Sequence, residues 1–298
     1  MKIAAIDIGT NAVKSKIFDT SSNLISFSES IRTPIRLGTD VFVDGQLSNT
    51  SIKKLITSLK KYQNYFSKNE IEFYEIVATS AFRDTKNSED ARRVVENEIE
   101  HPIRVISGLE EAALIALNPK IKKNDPKLYA DLGGGSLEFF YYLDGKKKIK
   151  SFQLGAVRNM LRKDKPDEWK KLNTWLDKLP SFNSVVGIGG NIRSFLNIHN
   201  RDKLLKEEFI SLKDELHKLT FSEKISKYNL SEDRADVIDY AMSIYEFVLN
   251  RINVEKIKST KWGVSDSIAV KLYHEIYRIS DKKLNNKLKN SSSRHFAP

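Results

Sequence analysis

The chain has 298 residues, with 50 Lys+Arg against 39 Asp+Glu, a formal charge of +11, 40% hydrophobic residues and no cysteine. That composition is ordinary for a soluble globular protein and excludes disorder over most of the length. The lack of cysteine removes disulfides, a thiol nucleophile, thiolate zinc sites and iron–sulfur clusters together.

At roughly 100 to 200 residues per domain, the length predicts two domains, each able to bury a core. In chain order, Lys2 to Asp7 is an apolar strand ending in an acid, and a Gly9-Thr10-Asn11 turn leads into the alternation Val13, Ser15, Ile17. A hairpin therefore opens the protein. An extended segment over 24–36 comes next, and Ile52, Leu55, Ile56 and Leu59 recur at helical spacing within 51–66. The pattern then predicts a strand over 73–79, a charged helix over 88–99, a short strand over 103–106 and a helix over 109–117 that ends before Pro119.

The segment from Lys127 to Tyr142 repeats the opening hairpin. Aligning Asp131 with Asp7 pairs Leu132 with Ile8, Gly133 with Gly9 and Gly134 with Thr10, with a strand on each side. Two acids at strand ends, each before a glycine turn and each opening a half of the chain, predict a duplicated domain. The expected boundaries are 1–120 and 121–298, with the Lys120 to Lys127 stretch as a hinge. In the second half a strand over 149–154, a helix over 155–162, a strand over 185–188 and a helix opened by Gly187-Ile188-Gly189-Gly190-Asn191 follow. Polar helices over 206–228 precede a core helix over 234–252, and about the last 12 residues, without apolar periodicity, are expected to fray.

The five histidines never fall three to five apart, so the paired histidines of a zinc hydrolase are missing and any catalytic metal must be held by oxygen. Glycine turns leave backbone N–H groups unobstructed, and such concavities attract phosphate oxygens. Three are present, at Gly9-Thr10-Asn11, Gly133-Gly134-Gly135-Ser136 and Gly187-Ile188-Gly189-Gly190. Each alone reads as a tight turn; together with a duplicated acid they favour a run of phosphates. The dinucleotide and P-loop fingerprints are absent, as is the serine elbow of esterases. Asp7, Asp131 and Glu138 suit Mg²⁺, which bridges carboxylates to phosphates. Arg83, just after a strand, suits a phosphate fork.

Lysines cluster at 120–123, at 146–150 and in the tail over 282–289. They read as solvated loops or as contacts to a polyanion, while the motifs of RNA-binding modules are missing, so no nucleic-acid partner is expected. The amino terminus reaches an acid too soon for a signal-peptide core, and no apolar run nears the ~18 residues of a membrane span. A cytoplasmic location without a membrane partner is the expectation.

Six motifs then stand in order: Ile6-Asp7-Ile8-Gly9-Thr10-Asn11, Ala78-Thr79-Ser80-Ala81-Phe82-Arg83-Asp84, Ile106-Ser107-Gly108-Leu109-Glu110-Glu111-Ala112, Asp131-Leu132-Gly133-Gly134-Gly135-Ser136-Leu137-Glu138, Leu154-Gly155-Ala156-Val157-Arg158 and Gly187-Ile188-Gly189-Gly190. As a set they resemble the exopolyphosphatase/guanosine pentaphosphate phosphatase (Ppx/GppA) family in its short two-domain form. The resemblance implies an α/β fold of two duplicated actin-like (ribonuclease H-like) domains with an interdomain cleft, and Mg²⁺, or Mn²⁺ in its place. It implies that Glu111 is the catalytic base and that Arg83 contacts phosphate. It places Asp131 and Glu138 at the metal and water, and Gly133 to Ser136 with Gly189 and Gly190 at the phosphates. Ala113, Leu137, Asn191 and Ser265 depart from residues usual in the family.

The implied reaction is hydrolysis of the terminal phosphoanhydride of inorganic polyphosphate, with guanosine pentaphosphate as the alternative substrate. A catalytically weak sensor of an alarmone or polyphosphate, and an actin-like kinase, are the rivals from other classes. Dimers are usual in the resembled family, so the resemblance allows a homodimer, while the sequence itself does not give the oligomeric state.

Overall fold

A computed structural model describes residues 1–277. The chain divides into two units, residues 1–122 with the segment from Trp262 onward, and Lys123–Lys261.

The first unit opens with a meander of β1 (Lys2–Ile8), β2 (Ala12–Ser21) and β3 (Leu24–Pro34). A short helix α1 (Leu37–Val43) precedes α2 (Asn49–Lys68), whose first turn is capped by the Ser48 hydroxyl accepting from the Ser51 amide. Ile52, Leu55, Leu59, Tyr62 and Phe66 form the buried stripe of α2, which packs on α4 and β4. Next come β4 (Ile71–Ala78), α3 (Ser80–Asp84), α4 (Ser88–Ile99), β5 (Arg104–Val105) and α5 (Gly108–Ile115). The sheet order is β3-β2-β1-β4-β5, with β4 parallel to β1.

The second unit repeats this plan. The hairpin β6 (Lys127–Leu132) and β7 (Leu137–Leu143) continues into β8 (Lys146–Phe152), then α6 (Ala156–Met160), α7 (Pro166–Leu176) and β9 (Ser184–Ile188). Helix α8 (Gly190–Ile198), strand β10 (Lys203–Leu205) and helices α9 (Lys206–His217), α10 (Phe221–Tyr228), α11 (Glu232–Ala235) and α12 (Ile238–Arg251) lead to β11 (Lys256–Ser259). The order is β10-β11-β9-β6-β7-β8. Read from its meander, β8-β7-β6-β9-β11 reproduces β3-β2-β1-β4-β5, with β10 added at the far edge. The expected duplication is thus visible as topology.

Two expectations change. The boundary falls after Lys122, and the described segment from Trp262 to Tyr277, expected in the second domain, belongs to the first unit. The cause is α13 (Val264–Tyr277), whose buried Val264, Ile268, Ala269 and Tyr273 pack on β1, β2, β4 and α5. The helix expected over 234–252 is two segments, interrupted at Asp236 and Val237. The expected fraying of the tail lies outside the described residues. Among the described residues no helix is long and apolar enough to cross a membrane.

Candidate active site

In the first unit, β1 delivers Asp7 to its carboxyl end, and Gly9 closes the turn by donating its amide to the Ala12 carbonyl at 3.1 Å. The turn is braced from several sides. The Thr10 carbonyl accepts from the Gly38 amide at 2.9 Å, the Asn11 carbonyl accepts from Ile35 and Arg36, and the Thr10 and Ser80 hydroxyls lie 2.6 Å apart. Thr10 is thus a buried anchor, which ties this glycine turn to the start of α3.

One oxygen of the Asp7 carboxylate, Oδ1, is buried without a hydrogen-bond partner. Burial pushes its pKa up, and the charges of Lys14, Lys16 and Arg83 pull in the opposite direction. Lys14 stands directly across the hairpin from Asp7. Lys16, two residues on, makes a 2.6 Å ion pair with Asp266, whose Oδ2 also accepts from the Gly263 amide at 2.8 Å. The turn from Gly263 to Asp266 therefore returns to the first hairpin.

Helix α3 places Arg83 beside Glu111 on α5. The Arg83 guanidinium donates to the Ile106 carbonyl at 2.8 Å and to Glu111 Oε2 at 2.9 Å. Glu111 is buried, and burial raises its pKa; Arg83 opposes this and the charge of Asp7 adds to it. Its neighbour differs entirely. Glu110 gives its amide to the Ser107 cap and its carboxylate to an exposed ion pair with Arg104. Consecutive positions on a helix point about 100° apart, which sends one acid inward and the other to the surface.

In the second unit the Gly133-Gly134-Gly135-Ser136 turn is closed by the Gly133 amide donating to the Ser136 carbonyl at 3.0 Å. The start of α6 then takes its carbonyls. Ala156 donates to Gly133, Val157 and Arg158 to Gly134, and the Arg158 Nε to Gly135 at 3.0 Å. Because each trans peptide sets its N–H opposite its carbonyl, the amides of Gly134, Gly135 and Ser136 turn away from α6. The approach demands glycine on the helix side: a Cβ on Gly155 would lie 2.5 Å from the Gly134 backbone.

Asp131 and Glu138 are cross-strand partners and so share a face of the sheet. Glu138 is buried and accepts from the Ser151 hydroxyl at 2.9 Å. Gly189, at a φ of 104°, opens α8 beside them; a Cβ there would lie 3.0 Å from the Leu132 carbonyl and 3.4 Å from Asp131 Oδ1. A Cβ on Gly190 would collide with the Arg234 guanidinium, which hydrogen-bonds Asn191. The break between α11 and α12 places that arginine there.

The residues named from the sequence thus fall into two sets. Asp7, Arg83 and Glu111 stand together with the 9–11 turn in the first unit, and Asp131, Glu138, Gly133 to Ser136, Gly189 and Gly190 in the second. Sequence reading missed Lys14, Lys16 and Asp266, and assigned no role to Arg158 or Arg234. The period-2 alternation of β2 held the signal for the lysines, since Val13, Ser15 and Ile17 on one face leave Lys14 and Lys16 on the face of Asp7.

Among the described residues no three His, Cys, Asp or Glu side chains gather into a metal cage. One or two carboxylates completed by water and substrate phosphate is how Mg²⁺ is usually held. The orphaned buried Oδ1 of Asp7 and the Asp131/Glu138 pair offer oxygen ligands of that kind, so these residues fit the ion.

A family model described as the Ppx/GppA phosphatase family matches residues 17–275. Among curated proteins, a bifunctional 3-dehydroquinate synthase/phosphatase of Fusobacterium nucleatum is 30% identical over 241 residues, covering 70% of this chain. The match spans 36% of that longer protein. Exopolyphosphatase 1 of Mycobacterium tuberculosis is 22% identical over 302 residues, covering 91% of this chain and 88% of the relative. Among solved structures, an exopolyphosphatase from Cytophaga hutchinsonii superposes with a TM-score of 0.78 at 20% identity, covering 94% of this chain and 99% of that one. The Aquifex aeolicus member of the Ppx/GppA family gives 0.71 at 24% identity, covering 93% and 98%.

Proposed function

The chain belongs to the Ppx/GppA phosphatase family and is a phosphoanhydride hydrolase, and we propose that it removes the terminal phosphate of inorganic polyphosphate as orthophosphate. The observation that carries this reading is Glu111: a buried carboxylate at a helix start, held by Arg83, with its pKa raised by burial and by Asp7. A carboxylate tuned upward is a better general base near neutral pH than an exposed one.

In the proposed reaction Glu111 takes the proton of the attacking water, and Arg83 orients Glu111 while offering its guanidinium to the phosphoryl group. The amides of Gly134, Gly135 and Ser136 and the start of α8 bind phosphate oxygens. Asp7 in the first unit, or Asp131 with Glu138 in the second, would hold Mg²⁺, which when bound would offset charge developing on the phosphoryl oxygens. No covalent intermediate on the protein is required.

The deciding experiment measures phosphate release from polyphosphate, guanosine pentaphosphate and ATP in parallel. Preferential release from polyphosphate is expected. Preference for guanosine pentaphosphate would reassign the substrate within the same chemistry, and binding of either without turnover would make the protein a sensor.

A further inference from the structure

Strand β8 reads Lys146-Lys147-Lys148-Ile149-Lys150-Ser151-Phe152 and forms the outer edge of the second-unit sheet. All four lysines are exposed. Across the strand pair they face Leu143, Tyr142, Tyr141 and Phe139, so no carboxylate opposes them. Among the described residues none of the four has an ion-pair partner; Lys150 lies over the Phe152 ring, 5.8 Å from its centroid. Burial of its stem holds Lys147 below the ordinary lysine value. The nearest acids by chain are Asp144 in the hairpin turn and Glu138, which is buried and accepts from the Ser151 hydroxyl.

One or two lysines are enough to keep an edge strand from pairing with another chain. Four within five residues add like-charge repulsion that edge protection does not need. Their direction matters too. β8 runs antiparallel to β7, so Phe152 stands across from Leu137, immediately after the Gly133–Ser136 turn, and Ser151 donates to Glu138. Going back along the strand, Lys150, Lys148 and Lys146 recur on one face at about 6.6 Å intervals, making a row about 13 Å long that leads away from the glycine turn. Lys147 lies on the other face of the same edge, the face that carries Ser151, Glu138 and Asp131.

We propose that β8 is an accessory track for the distal phosphates of inorganic polyphosphate whose end is held at the Gly133–Ser136 turn. The inference rests on the reading of that turn as a phosphate site and deepens it into a preference for long chains. A linear polyanion carrying a charge on every phosphate matches a row of lysines that begins at Lys150, two residues before the Phe152 that stands across from the end of the turn. A compact nucleotide or a short chain ends before reaching the row.

The test replaces Lys146, Lys147, Lys148 and Lys150 together by Gln, with the fourfold Lys→Arg variant as the charge-preserving control, and measures binding of fluorescent long-chain polyphosphate and of tripolyphosphate between about 50 and 200 mM salt. At roughly −0.7 in log–log slope per neutralised phosphate, the Gln variant should flatten the salt dependence for long chains by about two to three units. It should weaken long-chain binding at low salt by at least about tenfold, leaving tripolyphosphate unchanged and the Arg variant like wild type. Unchanged long-chain binding would overturn the track and leave the lysines as edge protection. Equal losses for tripolyphosphate would overturn it as well, as would a single-stranded oligonucleotide that binds as tightly as polyphosphate with the same lysine-dependent slope. A wild-type protein that releases no phosphate from polyphosphate yet shows the lysine-dependent slope would refute the proposed activity while upholding the track.

Discussion

The two glycine-turn hairpins share a backbone plan and differ in what stands opposite the acid. Asp7 of β1 is paired across the strands with Lys14, whereas Asp131 of β6 is paired with Glu138. The first hairpin also gathers Lys16 and Arg83 within electrostatic reach of its acid, and a second carboxylate, Glu111, sits among these cations. The second keeps two acids on one face and gives its basic group, Arg158, to a loop carbonyl. A duplicated scaffold has thus been divided into a half that sets a lysine across from its strand-end acid and a half that sets a second acid there. Two carboxylates on one face favour a positive neighbour, so the Asp131/Glu138 pair is where loss of a divalent ion is expected to be felt most.

The strongest way to break this contrast is to remove divalent metal. Chelation with EDTA followed by desalting should lower turnover by at least about a thousandfold, since the ion's share of charge stabilisation is several kcal/mol. Mg²⁺ or Mn²⁺ should restore it, and Zn²⁺ should not. Undiminished phosphate release from the chelated protein would mean that the two acids of the second hairpin need no counter-ion.

Glu111→Gln ranks next. Loss of a general base typically removes roughly 10² to 10⁴ in rate, so kcat should fall by at least about a hundredfold while polyphosphate binding persists. Turnover near wild type would place the base elsewhere. Arg83→Gln sharpens the same point through pH. Arg83 is the group that holds Glu111 down against burial, so its removal lets the carboxyl pKa rise further and the acidic limb of the kcat profile should move to higher pH. A limb that stays put would uncouple the arginine from the base.

Much of this arrangement was legible in the sequence, and the reasons are local. The hairpin repeat is visible because an acid, a hydrophobic residue and a glycine recur in the same strand context, and helix 88–99 is readable from its own periodicity. What escaped depends on long-range packing. Helix α13 is written in the last described residues yet packs on β1, β2 and β4, and no short-range pattern says which sheet an apolar stripe will choose. The Lys16–Asp266 pair joins positions 250 apart and is invisible for the same reason. The cross-strand partners Lys14 and Glu138 were within reach, because the length of each turn fixes register. Following that register would have exposed the contrast between the hairpins before any coordinates.

A smaller effect concerns stability. Asp7 binds its proton more tightly in the folded protein than in the unfolded chain. Its contribution to stability is therefore fully present below the unfolded pKa and lost as pH rises through the folded one. In the metal-free protein, Asp7→Asn should raise the melting temperature at neutral pH, on the ~1 kcal/mol scale usual for one substitution, and raise it less at acidic pH. Equal changes at both values would show that the surrounding lysines and Arg83 already cancel the cost of burying the acid.

The smallest effect separates neighbours. If the contrast between the halves belongs to the buried charges of each site, then the acid beside Glu111 should matter little. Glu110 is about 40% exposed and pairs with Arg104, whose other partner is Glu75 at 2.7 Å. Surface pairs of this kind contribute about 0 to 1 kcal/mol, and removing one leaves Arg104 with a carboxylate still in place. Glu110→Gln should therefore keep kcat within about twofold of wild type, because a few tenths of a kcal/mol at a remote surface changes a rate by less than that. The acidic limb should also stay in place, since the charges acting on Glu111 are Arg83, Asp7 and Lys14 rather than its neighbour. A tenfold loss, or a shifted limb, would mean that α5 presents both carboxylates to the reaction and that the inward direction of Glu111 alone does not define the base.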